Sequence, residues 1–290
     1  MLNRIKGQVA VFIAGFCFSL IGIFIKKIGT DIPIMSLTFV RVFIGLLFLA
    51  VTVPFLDKTI FHPNRKDLKD YAIIGFLMAV NFVLINAAFL YAPVSNVNLI
   101  NTMYVVFTFL FSYIFLKEAF TRKMIMAAAL GFIGLSFIHP FQNEYMLGNM
   151  LSLSNAIVFG LILVYLRREE KHHSLAVTFW FMLFTAIFLL PFPFLYGLGS
   201  WQAHIPALLG LGILSTGLSY LLLDYGLEFI TADLASLIIM LTTPLLAIFF
   251  AVWLLGETLH FSMVIGGVML LIAGLILEFH VKSARHRIRH

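Results

Sequence analysis

Long apolar segments, each about the length that crosses a lipid bilayer, follow one another along almost the whole chain. A bilayer core about 30 Å thick needs about 20 mostly apolar residues in each spanning helix. Ten such segments lie between polar breaks. They are residues 8–28, 33–55, 71–91, 94–116, 123–140, 148–166, 175–196, 206–227, 233–255 and 261–280. Because the runs are continuous and lack the alternating pattern of a barrel strand, they predict ten transmembrane α-helices.

The composition favours an all-α integral membrane protein. Of the 290 residues, 62% are hydrophobic and 11% are charged, whereas soluble domains carry about 25% charged residues. The longest polar interruption, "DKTIFHPNRKDLKD", is too short to bury a core of its own. We therefore expect a chain embedded in the lipid bilayer, without a separate soluble domain.

The positions of the lysines and arginines predict which helix ends face the cytoplasm. With the N-terminus placed inside, sixteen of the nineteen cations fall at inner ends. They are Arg4, Lys6, Lys58, Arg65, Lys66, Lys69, Lys117, Arg122, Lys123, Arg167, Arg168, Lys171, Lys282, Arg285, Arg287 and Arg289. The positive-inside rule then places both termini in the cytoplasm and the protein in the cytoplasmic membrane. Inner loops facing an anionic leaflet account for the net charge of +6, so we expect no nucleic-acid partner.

The two halves of the chain repeat each other. The segments "FSYIFLKEAFTRKMIM" and "FAVWLLGETLHFSMVI" align at an offset of 139 residues, which places Glu118 on Glu257. We predict two repeats, residues 1–141 and 142–290, of five helices each. Since five is odd, the second repeat enters the bilayer from the opposite side. Inverted repeats of this kind are typical of secondary transporters, whose solute site lies between the repeats.

Longer segments resemble a known family. The second helix "FVRVFIGLLFLA" and the segments "AAFLYAPVSNVNLINTMYVVFTFLFSYIFLKE" and "LEFITADLASLIIMLTTPLLAIFFAVWLLGE" are similar to the drug/metabolite transporter superfamily, EamA-like branch. The resemblance covers essentially the whole chain and implies export of a small solute. One departure is visible. The family usually carries a proline midway in both the fourth and the ninth helices, and here only Pro244 is present, with Tyr104 and Val105 at the matching place.

One permanent cation, Arg41, lies near the middle of the second predicted helix. An arginine at the centre of a membrane helix costs between about 2.5 and more than about 10 kcal/mol, so it should face a partner or a water-filled cavity. Two interpretations are open. Arg41 anchors an anionic group of the solute, or it is an internal clamp bonded to backbone carbonyls or to a buried asparagine.

Polar residues recur at helical spacing in the fourth predicted helix. Asn98, Asn101 and Tyr104, with Thr108 one turn on, are three or four residues apart and form one stripe. An amide side chain offers two donors and an acceptor, so it can bind amine and carboxylate groups together. The stripe is therefore the predicted solute site. The alternative is that these side chains bond between helices and hold them together.

The third helix adds two further predicted site residues. Asn81 and Asn86 are five residues apart, about 140° around a helix, so both cannot point squarely at one solute. Function and interhelical packing both remain open for them.

Three of the carboxylates in or beside apolar segments are candidates for a role. Asp224, late in the eighth helix, is the candidate for proton coupling, with pairing to Arg41 or a lysine, or interfacial exposure, as the alternatives. Glu118 and Glu257 resemble the family's acidic residue at the ends of these helices. We expect each to orient the following turn rather than to contact solute.

These features predict a secondary transporter, an exporter of small metabolites such as amino acids, that works by alternating access between the repeats. The alternatives are a passive facilitator or channel-like uniporter, and further from the pattern an intramembrane enzyme or a sensor. No metal-binding, phosphate-loop or nucleophile motif is present in the sequence, so we expect no cofactor, no metal and no enzymatic activity. The predicted partners are a small-molecule solute and the lipid bilayer, and a monomer is one of the oligomeric states left open.

Overall fold

The computed structural model of the protein describes residues 2–56, 65–117, 122–137, 144–168 and 175–288. Most of these described residues are helical, and none of them forms a strand. The first half contains α1 (Leu2–Ser19), α2 (Ile21–Ile28), α3 (Ile34–Leu56), α4 (Arg65–Tyr91), α5 (Val94–Asn101), α6 (Tyr104–Leu116) and α7 (Arg122–Phe137). The second half contains α8 (Met146–Arg168), α9 (Leu175–Leu189), α10 (Pro191–Tyr196), α11 (Ile205–Leu209), α12 (Ser219–Leu227), α13 (Ala232–Leu255) and α14 (Phe261–Ile288). A short 3₁₀ turn, Trp201–His204, precedes α11, and a π-helix, Gly210–Leu218, joins α11 to α12.

The predicted all-helical membrane fold is confirmed, whereas the count of ten is confirmed only in part. Eight helical segments are long and apolar enough to cross a membrane. They are Asn3–Ile28, Ile34–Leu56, Asp67–Tyr91, Val94–Leu116, Met146–Leu166, Leu175–Tyr196, Trp201–Leu227 and Leu234–Leu255. The fifth and tenth predicted spans correspond to shorter apolar helices, Ile125–Phe137 and Phe261–Ile276. A crossing by these two helices, and the inverted arrangement that depends on it, remain predictions.

The fourth span is interrupted although it lacks the family's proline. It divides into α5 and α6 at Thr102 and Met103, where the Thr102 hydroxyl and backbone N–H both donate to the Leu99 carbonyl, at 2.6 and 3.1 Å. A threonine that bonds back to its own backbone competes with the regular helical ladder and bends the helix. The ninth span, α13, contains Pro244 and is nevertheless continuous. The expected departure from symmetry is present, with the break in the span that has no proline.

The ends of α6 and α13 match each other in detail. Lys117 ends α6 with φ of 54°, and its N–H bonds to the Ser112 carbonyl. Gly256 ends α13 with φ of 67°, and its N–H bonds to the Ala251 carbonyl. Both are left-handed helix ends, a conformation that glycine adopts without the steric cost that a side chain incurs. Each pair is separated by the same 139 residues as the aligned sequence segments.

Helices from the two halves pack against each other throughout. α4 packs on α8 and α9, α3 on α9 and the π-helix, and α1 on α12 and α13, while α7 packs mainly on α14. Small residues allow the closest approaches, because lipid is as apolar as leucine and association between membrane helices depends on close packing. A Cβ atom on Gly134 of α7, for example, would lie 2.8 Å from the Gly266 carbonyl of α14.

Candidate functional site

A cavity of about 260 Å³ lies between the two halves of the chain. Helices α1 to α6 line it from the first half, and α8, α9, α12 and α13 line it from the second half, whereas α7 and α14 contribute no described residue. Most of its wall is aromatic or aliphatic. The aromatic part includes Phe18, Phe82, Phe89, Phe159, Phe181 and Tyr220. A mostly apolar cavity with a few polar groups is the usual form of a small-molecule site.

The polar part of the wall contains most of the residues predicted from the sequence. Asn98 and Asn101 of α5 and Tyr104 at the start of α6 line the cavity, as do Asn81 of α4 and Arg41 of α3. The break after α5 therefore does not remove Tyr104 from the side that carries the two asparagines.

Two predicted residues do not line this cavity. Asn86 is fully buried behind it and contacts Arg41. Thr108, the last member of the predicted stripe, donates its hydroxyl to the Tyr104 carbonyl. The part of the stripe that lines the cavity therefore ends at Tyr104.

Arg41 is clamped by neutral groups from both halves. It is 1% exposed, its Nε donates to Thr216 Oγ1 of the π-helix at 2.9 Å, and its Nη1 donates to Asn86 Oδ1 at 2.5 Å. Its guanidinium carbon lies 4.9 Å from the centre of the Phe82 ring, a cation–π arrangement. The Asn86 amide in turn donates to Thr38 Oγ1 at 2.9 Å. A guanidinium has five N–H donors, of which these bonds use two.

The π-helix was not foreseen from the sequence. Two hydroxyl groups bond back five residues there: Thr216 of the π-helix to the Leu211 carbonyl at 2.9 Å, and Ser219, just after it, to the Leu214 carbonyl at 2.7 Å. π-Helical turns are rare and are found frequently at functional sites. A Cβ on Gly212 would lie 2.5 Å from the Ile44 Cβ, so this glycine lets the π-helix approach α3 beside Arg41.

Two polar atoms at the cavity wall are buried and make no hydrogen bond within the described protein. They are Asn81 Nδ2, a donor, and Asn101 Oδ1, an acceptor. Asn155 of α8, which the sequence analysis did not single out, lies beside them and donates to the Asn81 backbone carbonyl at 2.7 Å. An unsatisfied buried polar group costs about 1–3 kcal/mol, which a ligand of complementary chemistry can recover.

Asp224 is 3% exposed and lies in α12 beside Thr178 of α9. It is absent from the described cavity lining. The described hydrogen bonds of Arg41 go to Thr216 and Asn86, so pairing of Asp224 with Arg41 stays an untested alternative. The burial of Asp224 argues against interfacial exposure.

Glu257 ties the two halves together at one end of the molecule. Its carboxylate accepts the N–H groups of Val94 and Ser95, at 2.6 and 3.0 Å, and the Ser95 hydroxyl at 2.8 Å. It therefore caps the start of α5, where a negative charge is favourable, and does not orient its own following turn as expected. Glu118, its partner in the repeat, lies outside the described residues.

The cavity lining extends towards both ends of the molecule. Towards the end that carries the N-terminus, it is lined by Leu166, Leu227 and Ala235, which lie in the last or first turns of α8, α12 and α13. Towards the opposite end lie the Glu257 cap and a bond of 3.4 Å from Lys26 Nζ to the Leu90 carbonyl. Contacts between the two halves occur at both ends, because Tyr165 Oη donates to Asp70 Oδ1, at 3.1 Å, at the end that carries the N-terminus.

Known proteins resemble this chain along nearly all of its length. The EamA-like transporter family matches it twice, at residues 5–139 and 146–279. An uncharacterized transporter of Archaeoglobus fulgidus is 29% identical over 272 residues, covering 93% of this chain and 95% of the relative. The uncharacterized transporter YoaV of Bacillus subtilis is 25% identical over 271 residues, covering 89% and 92%.

Two further proteins are more distantly similar to this chain. The pseudopaline exporter CntI of Pseudomonas aeruginosa is 24% identical over 197 residues, covering 66% of this chain and 68% of the relative. A protein of known crystal structure superposes with a TM-score of 0.67 at 17% identity, covering 96% of this chain and 98% of the other. At that identity the superposition shows that the two share a fold.

Proposed function

The chain belongs to the EamA-like transporter family, and on that premise we propose that it is a secondary carrier that exports small metabolites such as amino acids. The observation that supports this most directly is the cavity between the two halves. Ten helical segments from both halves line it, and small polar groups interrupt an otherwise apolar wall. A site formed by both halves is what a carrier requires, because movement of one half against the other changes which side can reach the solute.

The proposed mechanism is alternating access. The bonds of Glu257 to Val94 and Ser95 join the two halves at the end away from the N-terminus, and the cavity lining reaches the terminal turns of α8, α12 and α13 at the other end. With the N-terminus in the cytoplasm, as the distribution of cations predicts, release of solute to the outside requires separation of the Glu257 contacts.

In this proposal the solute binds beside Asn81, Asn98, Asn101 and Tyr104. The unbonded donor of Asn81 and acceptor of Asn101 suit a solute that carries both an acceptor and a donor, as an amino acid does. Arg41, held in place by Asn86, supplies positive charge. Asp224 remains the candidate for proton coupling. It does not line the cavity, but it belongs to α12, the helix that places Tyr220 in the cavity wall.

Counterflow in proteoliposomes tests the proposal. Vesicles containing the purified protein are loaded with an unlabelled amino-acid mixture and exposed to trace labelled solutes. A carrier gives a transient accumulation of label, whereas a channel-like facilitator gives simple equilibration. We expect Asn101→Ala to reduce saturable counterflow about tenfold, the effect of losing one buried hydrogen bond of about 1.4 kcal/mol.

Two controls complete the experiment. Asn3→Ala changes an exposed residue at the start of α1 and should leave counterflow unchanged. Asp224→Asn should abolish any response to an imposed proton gradient if that residue couples transport to protons. Absence of counterflow with every solute tested, in protein that remains folded, would contradict the carrier.

A further inference from the structure

We propose that the cavity selects its solute by charge, and that it takes a small amphipathic carboxylate with a net charge of minus one and excludes cations. This inference rests on the proposed carrier function and specifies the chemical class of its solute. It follows from the guanidinium of Arg41, whose described hydrogen-bond partners are neutral, and from the absence of any described acidic side chain in the cavity lining.

The charge of Arg41 is not balanced by the groups that bond to it among the described residues. Arg41 is almost completely buried, and its hydrogen-bond partners, Thr216 and Asn86, are both neutral. The bonds orient the guanidinium and do not cancel its charge. A buried charge without a counter-ion is costly, and removal of a partner from a buried pair is strongly destabilising for the same reason. The energetically appropriate counter-ion is therefore one that enters the cavity with the solute.

The cavity wall holds several hydrogen-bond donors that suit a carboxylate. Arg41 belongs to the cavity wall, and the two bonds to Thr216 and Asn86 leave three of its five N–H donors for other acceptors. Asn81 Nδ2, on the same wall, is a further buried donor without a partner. A carboxylate has two oxygens that accept several hydrogen bonds and would match this set of donors, whereas an ammonium group offers only more donors.

Asn101 and the aromatic rings of the wall would contact the rest of the solute. The cavity offers Asn101 Oδ1 as an unbonded acceptor, and no described lining residue is a carboxylate that would neutralise an ammonium group. A neutral donor such as a hydroxyl or an amide N–H satisfies Asn101 at a lower desolvation cost than a charged amine does. Aromatic rings, among them Phe159 and Phe181, accommodate the apolar body. A net anion should therefore bind at least as well as a zwitterion.

A matched series of six-carbon compounds tests this ranking. Isocaproate is an anion, leucine a zwitterion, isocaproamide neutral and isohexylamine a cation, all on the same branched apolar body. Dissociation constants are measured by saturation-transfer NMR titration of the purified full-length protein in detergent at mildly alkaline pH. Binding rather than flux is measured, because uncharged forms of these compounds cross bilayers unaided.

We expect isocaproate to bind at least as tightly as leucine. Its dissociation constant should be lower than that of the amide by a factor of about ten or more, and the amine should bind most weakly. A factor of ten corresponds to about 1.4 kcal/mol, which a charge pair several ångströms apart provides at an intermediate effective dielectric. Tighter binding of leucine than of isocaproate would overturn the inference. Equal or tighter binding of the amide or the amine would overturn it as well, and so would failure of every member of the series to bind.

A charge-reversal variant provides the second test. Arg41→Gln removes the charge but also removes the bonds to Thr216 and Asn86, so its loss of binding could reflect misfolding. Asn101→Asp instead adds a carboxylate to the wall while retaining an acceptor at that position. We expect it to weaken isocaproate about tenfold and to bring isohexylamine into the measurable range. Asn3→Asp makes the same change of net charge at an exposed position and should leave the ranking intact.

The results separate this inference from the carrier proposal. If isocaproate binds best and Asn101→Asp reverses the preference, but no solute gives counterflow, the charge selection stands and the carrier function fails. If counterflow occurs and Asn101→Asp leaves the order of binding unchanged, the carrier stands and the charge selection fails.

Discussion

The bond between Arg41 and Thr216 is the contact whose removal gives the clearest test of how the two halves are held together. Thr216→Val removes the hydroxyl that accepts Arg41 Nε at 2.9 Å and keeps a β-branched side chain of similar shape. Hydrogen bonds between neutral groups in membrane proteins contribute about 0.6 kcal/mol on average. Bonds to charged groups contribute about 1.5–3 kcal/mol. We expect Thr216→Val to lower the free energy of unfolding by about 2 kcal/mol.

The assay is unfolding of the purified protein in mixed micelles with increasing sodium dodecyl sulfate, followed by circular dichroism. The matched control is Thr52→Val in α3. Among the described residues, Thr52 bonds to the Phe48 carbonyl of its own helix, at 2.8 Å, and to no other helix. A threonine of this kind adds little to tertiary stability, and we expect the control to change the free energy of unfolding by less than about 0.5 kcal/mol.

A double-mutant cycle identifies Arg41 as the common partner. Asn86→Leu removes the acceptor of Arg41 Nη1, and its effect should not add to that of Thr216→Val, because both mutations leave the same guanidinium less satisfied. We expect a coupling energy of about 0.5 kcal/mol or more. Equal effects of Thr216→Val and Thr52→Val, together with additivity in the cycle, would refute the reasoning.

Three other predictions concern helix ends and close packing, and each is checked by the same unfolding assay. Glu257→Gln should cost about 1–2 kcal/mol, because an amide has only one oxygen to accept the N–H groups at the start of α5; an unchanged free energy would mean that the cap contributes nothing. Lys117→Gly should stabilise by about 0.5–1 kcal/mol, while Gly256→Ala should destabilise by a similar amount, because both positions have positive φ; effects of the same sign would contradict this. Gly212→Ala should cost about 1–3 kcal/mol through overpacking against α3. Gly131→Ala, whose new Cβ would meet its nearest neighbour at 3.2 Å, should cost less.

The unexpected features of the site arise from contacts between distant parts of the chain. The stripe of Asn98, Asn101 and Tyr104 could be predicted because residues at helical spacing share a face, and all three line the cavity. Asn155 carries the same kind of signal, because Asn149, Ser152 and Asn155 are three residues apart in their own span, whereas its bond to the Asn81 carbonyl of another helix depends on the fold. A systematic list of every buried amide in the apolar segments would have included it.

Arg41 marks the boundary between local and tertiary information. Its sequence context required a partner or a cavity, because a lone arginine in hydrocarbon is too costly, and left clamp and anchor open. The fold places Arg41 against Asn86, 45 residues away, and Thr216, 175 residues away, and also at the cavity wall. No periodicity along the chain encodes these pairings, because they depend on how separate helices approach.

Local composition was sufficient for the helical membrane fold, since each apolar segment must satisfy its own backbone hydrogen bonds in lipid and can do so only as a helix. The alignment of the two halves also predicted the repeat, and the structure ends the corresponding helices with the same left-handed turn at Lys117 and Gly256. The tertiary structure alone decided that Thr216 of the π-helix bonds to Arg41 and that Glu257 caps a helix in the other half. Those features depend on side chains far apart in the chain, whose energies enter only when the helices are packed.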